Sequence, residues 1–252
     1  MIADGDLRVD FEQALASAPP GQSAADRLCA ACIDLLDVDG AAVSVIYQGA
    51  TRGTFGSSGE LSRRLDEFQF TYGEGPCLDA FSARRPVLVP DLGLATERRW
   101  PAYAPAALAE GIRGVFALPV SVGGAPVGVL DLFRHDPGGL SQRSLGGGLV
   151  AAGLVAGPLL DLMAADMQWA ADGSPVGVGD HHGQLAALDR VEVYQATGMV
   201  MEYLGVGPIE ALLRLRGHAF AHGLTASEAA WAVVERRLML HDDSLGAERS
   251  GP

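Results

Sequence analysis

Two apolar runs, Gly114-Val-Phe-Ala-Leu-Pro-Val-Ser-Val122 and Pro126-Val-Gly-Val-Leu-Asp-Leu-Phe-Arg134, flank the short segment Gly123-Gly-Ala125. Glycine pairs adopt the positive φ angles that tight hairpins need, so the runs are predicted to be neighbouring antiparallel strands. A pair of strands is stable only as part of a larger, covered sheet. Residues 40–47, Gly-Ala-Ala-Val-Ser-Val-Ile-Tyr, are a third strand candidate, followed by a short one around Thr54 and Phe55. Residues 86–90, Pro-Val-Leu-Val-Pro, add another between two prolines. Residues 24–37 place Leu28, Cys32 and Leu35 at helical spacing, and a further helix is expected around Pro105 to Glu110. The pattern predicts an α+β fold with an antiparallel sheet and helices at its ends and on one face.

At 252 residues and 48% hydrophobic content the chain can build full cores in one or two domains. Residues 172–184, Asp-Gly-Ser-Pro-Val-Gly-Val-Gly-Asp-His-His-Gly-Gln, have linker composition, with His181-His182 solvated. The expected division is a segment at 1–21, a domain at 22–171, the linker, a helical domain at 185–241 and a tail at 242–252. The run from Leu145 to Leu160 has 16 uncharged residues, ends at Asp161 and contains Pro158. It is short for a membrane span and is expected to be a buried or dimer-forming helix with Ser141 as its N-cap. The N-terminus lacks a basic segment leading into an apolar run, so a cytoplasmic location and no membrane attachment are expected. Three cysteines in such a chain argue against a disulfide framework.

The chain has no lysine: 18 arginines face 31 acidic residues for a net charge of −13. That balance excludes broad, charge-driven attachment to nucleic acid or anionic lipid. The charge is uneven, however. Residues 185–241 hold five arginines and six acids, a net of −1 that leaves −12 elsewhere. This near-neutral stretch carries three helical signatures. Thr225 followed by Glu228 is a capping box, placing a helix start at Ala226 and a run toward Leu240. Gly223 ends the helix before it, in which Leu212, Leu215 and Ala219 form a core stripe while Arg214 and His218 lie on another face.

Several motifs carry family resemblances. Gly73-Glu-Gly-Pro-Cys-Leu-Asp79, Arg85-Pro-Val-Leu-Val-Pro-Asp91 and Val127-Gly-Val-Leu-Asp-Leu-Phe-Arg134 together resemble the bacterial GAF domain, a small-molecule sensing fold, over most of residues 22–165. The C-terminal pattern resembles the ANTAR domain, a three-helix RNA-binding antitermination module. Arg190, Gln195-Ala196, Gly198, Met199 and Met201 fit its first helix, Ala211, Leu215-Arg216 and Ala219 its second, and Glu228 with Ala230 its third. Thr197 departs from the pattern, since many members carry lysine there. The resemblance implies a homodimer that binds RNA hairpins in nascent transcripts and prevents terminator formation. The expected RNA-contacting set is Arg190, Tyr194, Gln195, Arg214, Arg216, His218, Arg236 and Arg237. Guanidinium forks suit phosphate, and unstacked loop bases suit aromatic faces. These arginines also read as a solvated helical surface, with Arg236 and Arg237 favouring a helix C-terminus. Arg216 projects near the core stripe and reads equally as an internal ion-pair partner. In a competing reading the C-terminal helices bind a partner protein instead.

For a small-molecule ligand the expected site is a cavity between the sheet and a loop at residues 70–80, lined by Tyr72, Glu74, Cys77, Phe116 and Phe133; the aromatics also read as ordinary core. Cys77, in that loop, has no histidine or lysine nearby in sequence to activate it. Cys29-Ala-Ala-Cys32 lacks a second ligand pair and sits on an apolar helix face, so it is read as core and no metal or cofactor is expected. Gly-x-Ser-x-Gly, His-Glu-x-x-His and kinase-type sets do not occur, so the chain is not expected to be an enzyme.

Overall fold

The computed structural model describes residues 4–19, 21–47, 50–161 and 190–240. The linker at 172–184, the tail at 242–252 and residues 162–171 of the domain expected before the linker lie outside them. The chain divides into two compact units, Met1–Asp189 and Arg190–Pro252.

The first unit is built on a five-stranded antiparallel sheet of β1 (Gly40–Tyr47), β2 (Ala50–Ser57), β3 (Val87–Val89), β4 (Gly114–Val122) and β5 (Ala125–Arg134), in the order β2-β1-β5-β4-β3. The hairpin turns at Gly123 and Gly124, whose φ values of 57° and 81° fit the tight turn expected from their sequence. One face is covered by α1 (Asp4–Ala16), α2 (Gln22–Leu35) and α6 (Gln142–Leu154). Its core includes Leu7, Phe11, Leu28, Cys29, Cys32, Phe55, Phe116, Leu118, Leu130 and Leu132. The other face is covered by α3 (Glu60–Tyr72), α4 (Pro76–Ala83) and α5 (Tyr103–Ala109), with Leu65, Phe68, Trp100, Tyr103, Ile112 and Phe133 in its core.

Helices therefore pack on both faces of the sheet, where the sequence pattern suggested one. The helix that pattern conceals is α3. Its inward positions Ser62, Asp66 and Gln69 are buried but polar, which blurs the apolar spacing of Leu61, Leu65, Phe68 and Tyr72. The expected loop at 70–80 is the end of α3, a turn at Gly73 to Gly75, and the first turns of α4. The helical run Gln142–Asp161 is long and apolar enough to cross a membrane by length and composition. In the fold it is a core helix, burying Gly147, Gly148, Ala151 and Ala152. Ser141 caps it as expected, accepting the Ser144 N–H at 3.0 Å.

The second unit contains α7 (Val191–Leu204), α8 (Pro208–Ala221) and α9 (Ala226–Val234), each in contact with the other two. Its core is mostly alanine: Ala196, Ala211, Ala219, Ala226, Ala229 and Ala230, with Val193, Val200, Leu215 and Val233. Small side chains let the helix axes come close. The capping box is formed, with Thr225 Oγ1 accepting the Glu228 N–H at 3.1 Å and the Glu228 carboxylate accepting the Thr225 N–H at 2.6 Å. This helix stops at Val234, short of the expected run toward Leu240, because Arg236 takes a left-handed conformation at φ 58° and turns the chain.

Candidate functional site

The helix-covered face that holds Phe133 also contains polar groups with no access to solvent. Strand alternation points Ser44 on β1, Thr54 on β2 and Asp131 on β5 toward it, while Val43, Phe55, Leu130 and Leu132 point the other way. Register shifts on both sides of the Ser44–Val45 pair kink β1 against β2 at this position. From above, α3 contributes Asp66 and Gln69, α4 contributes Cys77 and α5 contributes Tyr103, all buried.

All of these groups except Tyr103 are hydrogen-bonded within the cluster. Asp66 accepts a short hydrogen bond from the Ser44 hydroxyl and one of 2.5 Å from Thr54 Oγ1. Gln69 donates from Nε2 to Oδ2 of Asp131 at 3.0 Å and accepts the Cys77 N–H on Oε1 at 2.8 Å, which fixes its amide orientation. Gly75 lies directly over that amide: a Cβ there would stand 2.3 Å from Oε1 of Gln69, so glycine is required. Ligand atoms of Asp66, Cys77 and Asp131 all lie within 4.8 Å of one another. The Tyr103 hydroxyl and Oδ1 of Asp131 are buried and, among the described residues, have no hydrogen-bond partner.

Electrostatics follow from that enclosure. Burial, then the charge of Asp66, push the Asp131 carboxyl up to about 8, against the opposing effects of the Gln69 amide and the Cys77 thiol. Burial, then Asp131 and Asp66, push the Cys77 thiol well up, and burial followed by Asp131, Cys77 and Asp66 does the same to the Tyr103 phenol. The cluster therefore holds protons that an incoming cation could displace. Cys29 and Cys32 behave differently: burial raises both, Cys32 to about 12, and they remain inert core thiols on the opposite face.

The five residues expected to line one ligand cavity are distributed differently. Cys77 is in the network, at the start of α4 and not in a loop. Phe133 lies on the same face, but Phe116 belongs to the opposite core, so the two do not share a cavity. A bulge between Val120 and Ser121 is the cause: it pairs Phe133 with Val115, whereas an unbulged two-residue hairpin would pair it with Gly114 and put Phe116 on its side. Glu74 holds the fold together, its carboxylate accepting the N–H groups of Ala102 at 2.6 Å and Tyr103 at 3.0 Å at the start of α5. Tyr72 is half-buried and stacks on Phe68 with ring centroids 5.7 Å apart. Asp66, Gln69, Asp131 and Tyr103 were not singled out from sequence. The one local hint is Asp131, an acid inside an apolar strand run.

In the second unit the expected RNA-contacting residues separate into three groups. Arg190 is buried at 6% exposure and Arg216 is half-buried beside it, its pKa lowered by burial and then by the Arg190 charge. Arg190 is therefore enclosed by the module, and Arg216 is only partly open to solvent. Arg214 pairs with Glu210 at 2.8 Å, Arg237 pairs with Glu235, and His218 stacks on His222 with centroids 4.0 Å apart. Burial, then His222, lowers the His218 pKa. Tyr194, Gln195 and Arg236 are exposed, Tyr194 at 67%. Apolar side chains are also displayed: Ile209, Leu213 and Phe220 share one side of α8, 78%, 61% and 57% exposed. A groove of about 350 Å³ is lined by Met199, Tyr203, Arg236, Leu238 and Met239, among others.

The fold is shared with known GAF domains. The GAF domain of a phosphoenolpyruvate-protein phosphotransferase from Coxiella burnetii superposes with a TM-score of 0.52 at 15% identity, covering 64% of this chain and 95% of that one. The corresponding domain from Acinetobacter gives 0.49 at 13% identity over 64% and 95%. The type II free methionine-R-sulfoxide reductase of Thermoplasma acidophilum gives 0.41 at 16% identity over 62% and 96%. No curated protein matches the chain. A family model of the GAF domain matches residues 22–154, taking in the sheet, every helix that covers it except α1, and all members of the buried cluster, and the chain belongs to the GAF domain family.

Proposed function

We propose that the protein is a signal-responsive, cytoplasmic regulator of transcription, in which the GAF domain senses a small ligand and the α7–α9 module binds RNA hairpins as part of a homodimer to cause antitermination. The carrying observation is Tyr194, a largely exposed aromatic ring beside exposed Gln195, on a three-helix module whose sequence resembles ANTAR. An open ring can stack on a splayed loop base, and the amide beside it can read a base edge. The exposed ion pairs of Arg214 and Arg237 cost little to exchange for phosphate. Arg190 and Arg216 would then hold the module from inside. Dimerisation is supported by the outer side of the Gln142–Asp161 run, where Leu149, Gly153, Gly157 and Leu160 are exposed in line. Paired modules would add avidity that few arginines cannot supply alone.

Selection of RNA hairpins by the full chain at low salt tests the reading. Tyr194→Ala is expected to weaken the selected hairpin roughly tenfold or more, as loss of one stacked base does. A selection that enriches no hairpin sinks it. A second reading, docking of a partner protein, is favoured by the Met199–Tyr203 groove and the apolar side of α8. In that case Leu213→Ser or a polar residue at Tyr203 abolishes output while Tyr194→Ala does not.

A further inference from the structure

We infer that the buried cluster on the α3–α4–α5 side of the GAF sheet is a binding site for a divalent d-block cation, ligated by Asp66, Cys77 and Asp131, with the Tyr103 hydroxyl as a fourth donor. Three features carry this. The three ligand atoms already lie within 4.8 Å of one another, so a central ion reaches all of them with small side-chain adjustments. Two buried polar atoms on this cluster, the Tyr103 hydroxyl and Oδ1 of Asp131, have no hydrogen-bond partner among the described residues, and a fully buried group in that condition calls for an occupant. The surroundings are those of a metal site: Ser44 and Thr54 hold Asp66, and Gln69 holds both Asp131 and the backbone N–H of Cys77, so the ligands are aimed by neighbours that do not themselves ligate.

The donor set selects the ion class. A thiolate with two carboxylates and a phenol suits zinc, iron or cobalt in the divalent state, whereas magnesium and calcium take all-oxygen shells. On binding, the metal–sulfur bond replaces the Cys77 S–H bond and its proton leaves to solvent, as does the proton held by Asp131. Next to the cluster, Glu74 ties the Gly73 to Gly75 turn to the first residues of α5.

The inference rests on the sensor half of the proposed function and is independent of its RNA half. The test is anaerobic titration of the full, chelator-stripped chain with cobalt(II). One cobalt per chain is expected, with a thiolate-to-cobalt charge-transfer band in the near ultraviolet. Cys77→Ser should remove the band, Asp131→Asn should weaken binding by more than about tenfold, and a Cys29→Ala, Cys32→Ala double variant should keep both band and affinity. If Cys77→Ser does not fold, the other two variants decide between the sites. Absence of saturable binding, or a band that is lost in the double variant, overturns the inference whatever the hairpin selection returns. An empty hairpin selection would leave the cobalt result untouched.

Discussion

The two units break the ordinary rule of burial in opposite ways. The GAF unit puts polar groups inside: Asp66, Gln69 and Asp131 are fully buried against the sheet. The C-terminal unit puts apolar groups outside: Ile209, Leu213 and Phe220 on α8 and Trp231 on α9 are each more than half exposed. An exposed leucine alone means little, but a buried carboxylate network and a grouped apolar surface both carry information.

That contrast can be broken most forcefully at Asp66. Asp66→Ala leaves the Ser44 and Thr54 hydroxyls without their acceptor, and should cost about 3 kcal/mol in chemical denaturation. A loss below about 1 kcal/mol would mean that the network does not organise this face. The next effect is one of pH. Asp131 binds its proton more tightly when folded, with a pKa of about 8 against an ordinary 3.8, so between these values the folded metal-free chain holds a proton the unfolded chain has released. Its contribution to stability is complete below the lower value and is lost as pH rises through the upper one. The slope is at most about 1.4 kcal/mol per pH unit, and Asp131→Asn should flatten it in urea titrations with chelator present.

Smaller effects belong to the second unit. Thr225→Ala should cost about 1 kcal/mol by removing the cap of α9, read as fraying in hydrogen exchange of that helix. Leu213→Ser should change stability by less than about 0.5 kcal/mol, since the side chain is exposed. A large loss there would show that the apolar side of α8 is covered in the native assembly, and would redraw the contrast.

How much of this was readable in the chain depends on distance along it. The hairpin at Gly123-Gly124, strand β1, the Ser141 cap and the Thr225–Glu228 box are local features, each written in a few consecutive residues, and all are present. Arg190 was misleading because a charged residue at a helix start reads as surface, and only the packing of α7 buries it. Phe116 was misleading because one bulge reverses which face it occupies, and a bulge has no sequence mark in that hairpin.

The amino-acid pattern by itself determined the strands, the antiparallel sheet and the three-helix end, because turn chemistry, capping and side-chain periodicity act over a few residues. Only the tertiary structure decided the site. Asp66, Cys77, Tyr103 and Asp131 come from two helices, the start of a third and a strand, and no spacing links them. Their meeting is set by strand register and by which side of α3 turns inward, quantities that emerge only when the sheet and its helical cover pack together.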